Sequence, residues 1–156
     1  MTQRPVTHAT FTIERTFNAS PERVFEAFAD AKVKERWFSG PPEWGPAEHT
    51  MDFRAGGHET SKGGPKGGPA SRFEAIYHEI VPAERIIFSY DMFLDEQRIS
   101  VSLATIEFTP GGAGTQMTFT EQGAFFEGDG AELREQGMHQ VLDRLAAEVE
   151  RKVARA

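Results

Sequence analysis

Three charged residues lie where the surrounding pattern places apolar side chains: Arg15, Glu121 and Arg134. A charge that is taken out of water at such a position needs an opposite charge or several hydrogen bonds. Each of the three either lies at the end of its element and reaches water, with Arg15 forming a structural ion pair, or supplies the polar end of a ligand site. A guanidinium at that end suits a carboxylate or a carbonyl on the ligand.

Four side chains could act as acids or bases in catalysis: Tyr90, Asp91, Glu107 and Glu121. None of them stands in a recognisable pair with a second titratable group. The chain also lacks the Gly-x-Ser-x-Gly elbow of serine hydrolases and the Gly-Lys-Ser or Gly-Lys-Thr end of a phosphate-binding loop. The sequence therefore predicts no catalytic residue, although an enzyme that orients its substrate with a single acid or base stays open.

The histidines offer no metal-binding pattern. They include no His-Glu-x-x-His motif and no pair four residues apart on a helix, and the chain has no cysteine. We therefore predict no metal site and no cofactor. The five histidines are His8, His49, His58, His78 and His139.

Length and charge narrow the class of protein. The 156 residues fit one domain, for which we expect a loose stretch at residues 1–9 and a folded core at residues 10–153. A formal charge of -7 opposes binding to nucleic acid. No apolar run approaches the roughly 20 residues that cross a bilayer, and the first residues do not resemble a secretion signal. These features predict a cytoplasmic protein without a membrane span.

The last long segment, residues 131–152, has the period of an amphipathic helix. A helix of roughly 20 residues spans about 30 Å, so its apolar arc needs a partner surface about as wide as a small domain. The alternating segments upstream provide that surface, which predicts a sheet curled around this helix. The arc consists of Leu133, Gly137, Met138, Val141, Leu142, Leu145, Val149 and Val153.

The upstream pattern predicts one strand, two short helices and six further strands. Residues 10–18 alternate as a half-buried strand, and Ser20 and Asp30 are placed to cap the two short helices. Residues 61–70 are rich in glycine, proline and lysine and poor in apolar groups, which favours a mobile hairpin tip.

One long strand contains two apolar pairs in opposite phase. Val101 and Leu103 point to one face, whereas Ile106 and Phe108 point to the other. We expect a β-bulge near Ala104-Thr105, because one extra residue restores the phase and increases the curl.

Several short runs of sequence together resemble a known family. They are residues 17–28 (FNASPERVFEAF), Trp37-Phe38, residues 52–57 (DFRAGG), 81–85 (VPAER), 108–112 (FTPGG) and 137–145 (GMHQVLDRL). In these runs the chain resembles the activator-of-heat-shock-protein-ATPase homologue-like proteins of the START-like superfamily, also called SRPBCC and similar in fold to the birch pollen allergen. The resemblance implies a single START-like domain with an α+β helix-grip fold. In that fold a curved antiparallel sheet of six or seven strands wraps around a long C-terminal helix, and two short helices follow the first strand.

The helix-grip fold implies a cavity between the sheet and the C-terminal helix, and hence a site for a small hydrophobic ligand. An apolar molecule with a carboxylate or carbonyl end fits the residue types available. Met138 stands where the family usually has a tryptophan, which opens or softens the cavity wall. The predicted ligand-binding residues are Arg15, Trp37, Phe53, Phe88, Tyr90, Met117, Phe119, Arg134, Met138 and Leu142.

Two other functions stay open. The family's name implies a co-chaperone or stress-response protein that binds a chaperone, and superfamily members resemble cyclases acting on polyketide or aromatic substrates. Both rest on analogy, which does not establish function. The sequence is compatible with a monomer or a homodimer.

Overall fold

The computed structural model describes residues 5–38, 40, 42–45, 47–126 and 130–154. These residues form seven strands and three α-helices, with a short 3-10 helix at Pro42–Trp44. The strands are β1 (Thr7–Phe17), β2 (Glu48–Met51), β3 (His58–Gly63), β4 (Ser71–Val81), β5 (Arg85–Leu94), β6 (Gln97–Gly111) and β7 (Gly114–Phe125). The helices are α1 (Pro21–Ala29), α2 (Ala31–Trp37) and α3 (Gly130–Ala154).

The strands form one antiparallel sheet in the order β1-β7-β6-β5-β4-β3-β2. The long helix α3 packs against β1 and β7 and contacts both short helices. The predicted α+β helix-grip fold is thereby confirmed. Its core lies between α3, α1 and the inner face of the sheet, where Phe17, Met117 and Leu145 are fully buried.

Local hydrogen bonds set the two short helices as the sequence predicts. The Ser20 hydroxyl accepts a hydrogen bond from the Arg23 amide at 3.1 Å, and the Asp30 carboxylate accepts one from the Lys32 amide at 2.9 Å. Each cap satisfies a backbone donor that a helix start leaves unpaired. The second cap ends α1 and starts α2 at one residue, which fixes the elbow between them.

The sheet begins earlier than predicted. Residues 7–9 belong to β1, where Ala9 pairs with Gly123 of β7, so this stretch is part of the sheet and not loose. Residues 1–4 of the same predicted stretch lie outside the described residues. Strand β3 also continues to Gly63, into the glycine-rich segment predicted as a hairpin tip.

The predicted β-bulge near Ala104-Thr105 is wrong. Pairing of β6 with both neighbours is regular there, and the shifts of register lie instead between Tyr77 and Glu79 and between Met92 and Phe93. The two apolar pairs of β6 are in opposite phase because one pair faces outwards. Val101 and Leu103 lie on the outer face of the sheet with 40% and 39% of their surface exposed.

Candidate ligand-binding cavity

A cavity of about 400 Å³ lies between the inner face of the sheet, α2 and α3. Leu133 lines it and is 56% exposed, so the cavity reaches the protein surface near the start of α3. The wall is mainly aromatic and aliphatic, as in most small-molecule sites. Its large apolar side chains are Phe28, Trp37, Phe38, Trp44, Phe73, Phe88, Met92, Ile106, Phe119, Leu133, Met138, Val141 and Leu142.

Helix α3 gives the cavity part of its volume through a glycine. Gly137 lies in the interior of α3 and lines the cavity, and a Cβ added there meets no atom within 4 Å. Glycine costs about 1 kcal/mol relative to alanine inside a helix. Since no close contact among the described residues requires this glycine, its effect is to leave space open.

One polar end of the cavity is formed by Tyr90 and Arg134. The Tyr90 hydroxyl donates a hydrogen bond to Glu121 Oε2 at 2.7 Å and accepts one from Arg134 Nη1 at 2.7 Å. Arg134 also donates to Glu121 Oε2 at 3.1 Å and to the Ser100 hydroxyl at 2.6 Å. The Ser102 hydroxyl donates to the same Glu121 oxygen at 2.6 Å. The guanidinium is therefore held in one orientation at the cavity wall.

Burial and charge keep Tyr90 protonated. Burial raises the pKa of its hydroxyl, and the Glu121 carboxylate raises it further, which outweighs the opposing effect of Arg134. Burial alone lowers the pKa of the Arg134 guanidinium, but Tyr90 and Glu121 reverse this and raise it. This end of the cavity therefore offers hydrogen-bond donors and no free base.

Glu121 itself is fully buried behind this wall. Its Oε2 accepts the three hydrogen bonds from Tyr90, Ser102 and Arg134, while Oε1 has no hydrogen-bond partner among the described residues. The carboxylate compensates the charge of Arg134 and holds its position, but it does not belong to the described lining of the cavity.

A second buried ionic cluster lies on the β3 side, and the sequence analysis missed it. Lys34 of α2 lines the cavity and donates a hydrogen bond to Glu59 Oε1 at 2.7 Å. The Tyr77 hydroxyl donates to the same oxygen. A ring nitrogen of His49 lies 2.8 Å from Glu59 Oε2, and its other nitrogen lies 3.0 Å from Glu35.

The second cluster holds Glu59 as an anion although the side chain is only 1% exposed. Burial alone raises the pKa of this carboxyl, but the Lys34 charge and the hydrogen bonds from His49, Lys34 and Tyr77 together lower it to about 2. The hydrogen bond to Glu59 raises the pKa of His49 against the effect of its burial.

Seven of the ten predicted ligand-binding residues lie together on the cavity wall. Helices α2 and α3 bring four of them, and strands β5 and β7 bring three. As ligand contacts they stay predictions, but their side chains share one space. They are Trp37, Phe88, Tyr90, Phe119, Arg134, Met138 and Leu142.

The other three predicted residues do not lie on the described wall. Arg15 forms an ion pair with Asp143 at 3.0 Å, which is the structural bridge foreseen as its alternative. Phe53 packs edge-on against Tyr77, with ring centroids 4.9 Å apart. Met117 is completely buried in the core between β1 and β6.

The candidate acids and bases are mostly outside the cavity. Asp91 accepts a hydrogen bond from Arg98 at 2.9 Å, and Glu107 is exposed. Tyr90 alone of the four belongs to the described wall, as a protonated donor. The arrangement thus supports binding better than acid-base catalysis.

The described residues contain no group of three or more histidine, aspartate or glutamate side chains placed to hold a metal ion. In the part of the chain that the structure describes, no helix is long and apolar enough to span a bilayer.

The sequence profile of one protein family matches residues 18–150, the range that contains both ionic clusters and six of the seven described strands. That family is described as "Activator of Hsp90 ATPase homolog 1-like protein". The chain belongs to this family. No curated protein matches the chain significantly.

Solved structures agree with membership of the Hsp90 ATPase activator homologue-like family in the START-like superfamily. The Mll3558 protein of Rhizobium loti is 51% identical, with a TM-score of 0.84 over 92% of this chain and 99% of that one. A protein of Rhizobium leguminosarum is 41% identical, with a TM-score of 0.90 over 96% and 99% of the two chains. The CV1439 protein of Chromobacterium violaceum is 28% identical, with a TM-score of 0.76 over 90% and 96%.

Proposed function

We propose that this protein binds a small, mainly apolar molecule in the cavity between the sheet and α3, with a carbonyl or carboxylate end held by Arg134. The observation that carries the proposal is the combination of an aromatic wall with a fixed guanidinium on it. Hydrogen bonds to Tyr90, Glu121 and Ser100 use three Arg134 N–H groups, and a guanidinium has five, so two have no partner among the described residues and remain for a ligand.

The charges of the lining support a ligand with an acceptor group. The described wall carries three cations, Lys34, Arg134 and Arg144, and no carboxylate. This contrasts with the formal charge of -7 for the whole chain. An electron-rich group on the ligand is therefore favoured over a cationic one.

Binding of the neutral dye Nile red tests the proposal, with fluorescence as readout. Gly137→Phe places a ring in the open space at the cavity wall, and we expect it to weaken binding at least tenfold while α3 stays folded. Gln136→Phe, on the exposed side of the same helix, is the matched control and keeps wild-type affinity. Equal binding by wild type and Gly137→Phe, or no binding to wild type across a panel of neutral aromatic probes, overturns the proposal.

A second candidate function is a co-chaperone role, as the family's description suggests. The observation that favours it is the outer face of the sheet, where Ile76, Val101 and Leu103 are exposed. Stimulation of the ATPase of an Hsp90-type chaperone, lost in Leu103→Glu, supports this role. No stimulation by the wild type excludes it. We infer a cytoplasmic setting for either function, which the acidic, cysteine-free sequence supports.

A further inference from the structure

Lys34 gives the cavity a second polar contact, separate from Arg134. Its ammonium group is held by Glu59 at 2.7 Å and lies 4.7 Å from the centre of the Phe38 ring. The side chain is only 6% exposed. An ammonium group has three donors and Glu59 takes one, so two remain for a group inside the cavity.

The register of the sheet relates the residues that hold the two polar contacts, Glu59 for Lys34 and Tyr90 for Arg134. Glu59, Ala75 and Tyr90 are direct cross-strand neighbours on β3, β4 and β5. Two strand spacings separate Glu59 from Tyr90, which is about 10 Å. Lys34 and Arg134 both line the cavity, so one ligand can contact both.

The same geometry limits the ligand. A ligand that contacts both cations needs two acceptor atoms, one for each. The aromatic walls, including Trp37, Phe73 and Phe88, favour a flat body between the two acceptors.

The charge of each polar contact is already compensated. Lys34 is paired with Glu59, and Arg134 is paired with Glu121, and both carboxylates are buried behind the wall. A carboxylate on the ligand would add a negative charge beside one of these anions in a poorly solvated space. A neutral acceptor such as a carbonyl takes the remaining N–H groups without that cost.

We propose that the ligand is a flat, uncharged molecule with two opposed carbonyl-type acceptors, one bonded by Lys34 and the other by Arg134. The inference rests on the proposed function and decides between the two end groups that it allows. It assigns Lys34 as a ligand-binding residue and Glu59 as the residue that positions it.

A series of probes on one three-ring body tests the inference by displacement of Nile red. Anthracene has no acceptor, anthrone has one carbonyl, anthraquinone has two opposed carbonyls, and anthraquinone-2-carboxylate adds a charge. We expect anthraquinone to bind about tenfold more tightly than anthrone, which is the effect of one buried hydrogen bond to a charged donor. We expect the carboxylate to bind no more tightly than anthraquinone.

Variants then assign the second carbonyl to Lys34. Lys34→Met with Glu59→Gln removes both charges together, so no unpaired ion is left buried. We expect this double variant to lose the tenfold advantage of anthraquinone over anthrone. Arg36→Met with Glu148→Gln removes a neighbouring ion pair of α2 whose residues do not belong to the described wall, and it keeps that advantage.

The outcomes separate the inference from the proposed function. Equal affinity of wild type for anthrone and anthraquinone, or tightest binding of the carboxylate, overturns the inference while ligand binding stands. Failure of every probe to displace the dye overturns both. Since the wild-type ratio decides by itself, the test holds even where the double variant does not fold.

Discussion

Tyr77 and Tyr90 each donate a hydroxyl hydrogen bond to a different buried carboxylate, Glu59 and Glu121 respectively. They are the only two tyrosines in a chain with 13 phenylalanines. Each carboxylate also compensates a cation that a helix brings to the cavity wall. Each tyrosine thus belongs to one of the two buried ionic clusters beside the cavity.

Replacing Gly137 by alanine is expected to stabilise the protein. The added Cβ meets no atom within 4 Å, and alanine is favoured over glycine inside a helix by about 1 kcal/mol. Urea denaturation measures the change in the free energy of unfolding. Gln136→Ala is the control, with an expected change of a few tenths of a kcal/mol. If Gly137→Ala lowers the free energy of unfolding, the space beside Gly137 is not open.

Replacing Arg134 by methionine is expected to destabilise the fold strongly. Glu121 is fully buried and loses its compensating charge, which typically costs about 3–5 kcal/mol. Arg134→Met with Glu121→Gln is expected to recover most of that loss, because no unpaired ion remains. Urea denaturation of the two variants measures their free energies of unfolding. If the single variant is as stable as wild type, the ion pair between Arg134 and Glu121 does not stabilise the fold.

Acid is expected to destabilise the protein through Glu59. The folded-state pKa of this carboxyl is about 2, below its ordinary value of 4.5, so its contribution is complete above about pH 4.5 and is lost as the pH falls towards 2. The difference corresponds to about 3 kcal/mol. Denaturation between pH 5 and pH 2 measures it. In Lys34→Met with Glu59→Gln the slope over this range should be much smaller, and an unchanged slope would assign the acid sensitivity elsewhere.

Alkaline conditions are expected to remove the contribution of His49. Its pKa is raised above the ordinary value of 6.5, so the stabilisation is complete below about pH 6.5 and is lost as the pH rises through the folded-state pKa. Urea denaturation between pH 6 and pH 9 checks the sign. In His49→Asn the free energy of unfolding should change much less over this pH range. A wild-type protein that becomes more stable over the same range contradicts the assignment.

Arg15→Met is expected to have only a small effect. Its ion pair joins it to Asp143, which is 70% exposed, and such pairs contribute roughly 0–1 kcal/mol. Ligand affinity should not change, because Arg15 does not belong to the described wall of the cavity. Urea denaturation and Nile red titration measure the two effects. A large loss of affinity would restore Arg15 as a site residue.

Periodicity in the sequence predicted the elements better than their partners. Helix α3 and the caps at Ser20 and Asp30 depend on neighbours within one turn, and these were confirmed. Within the predicted apolar arc, Leu142, Leu145 and Val149 are buried, whereas Leu133 is 56% exposed. The sequence pattern also placed Glu121 and Arg134 on the inward side of their elements. It did not predict that they pair with each other, because the pairing depends on how α3 lies across the sheet.

The Lys34 and Glu59 cluster left little trace in the sequence. Strand β3 has no large apolar side chains, so the inward phase of Glu59 has no apolar neighbours to mark it. Lys34 lies three residues before Trp37, on the same side of a short helix, but a single lysine there does not reveal a buried partner on a distant strand. Val101 and Leu103 led to the wrong prediction of a β-bulge, because apolar side chains on the outer face look in the sequence like a change of phase.

A crystal structure of the complex with anthraquinone tests the central claim most directly. We expect the ring system between β5 and α3, beside Gly137, with its two oxygens towards Arg134 and Lys34. A ligand seated on the outer face of the sheet near Leu103, with the cavity empty, would contradict it.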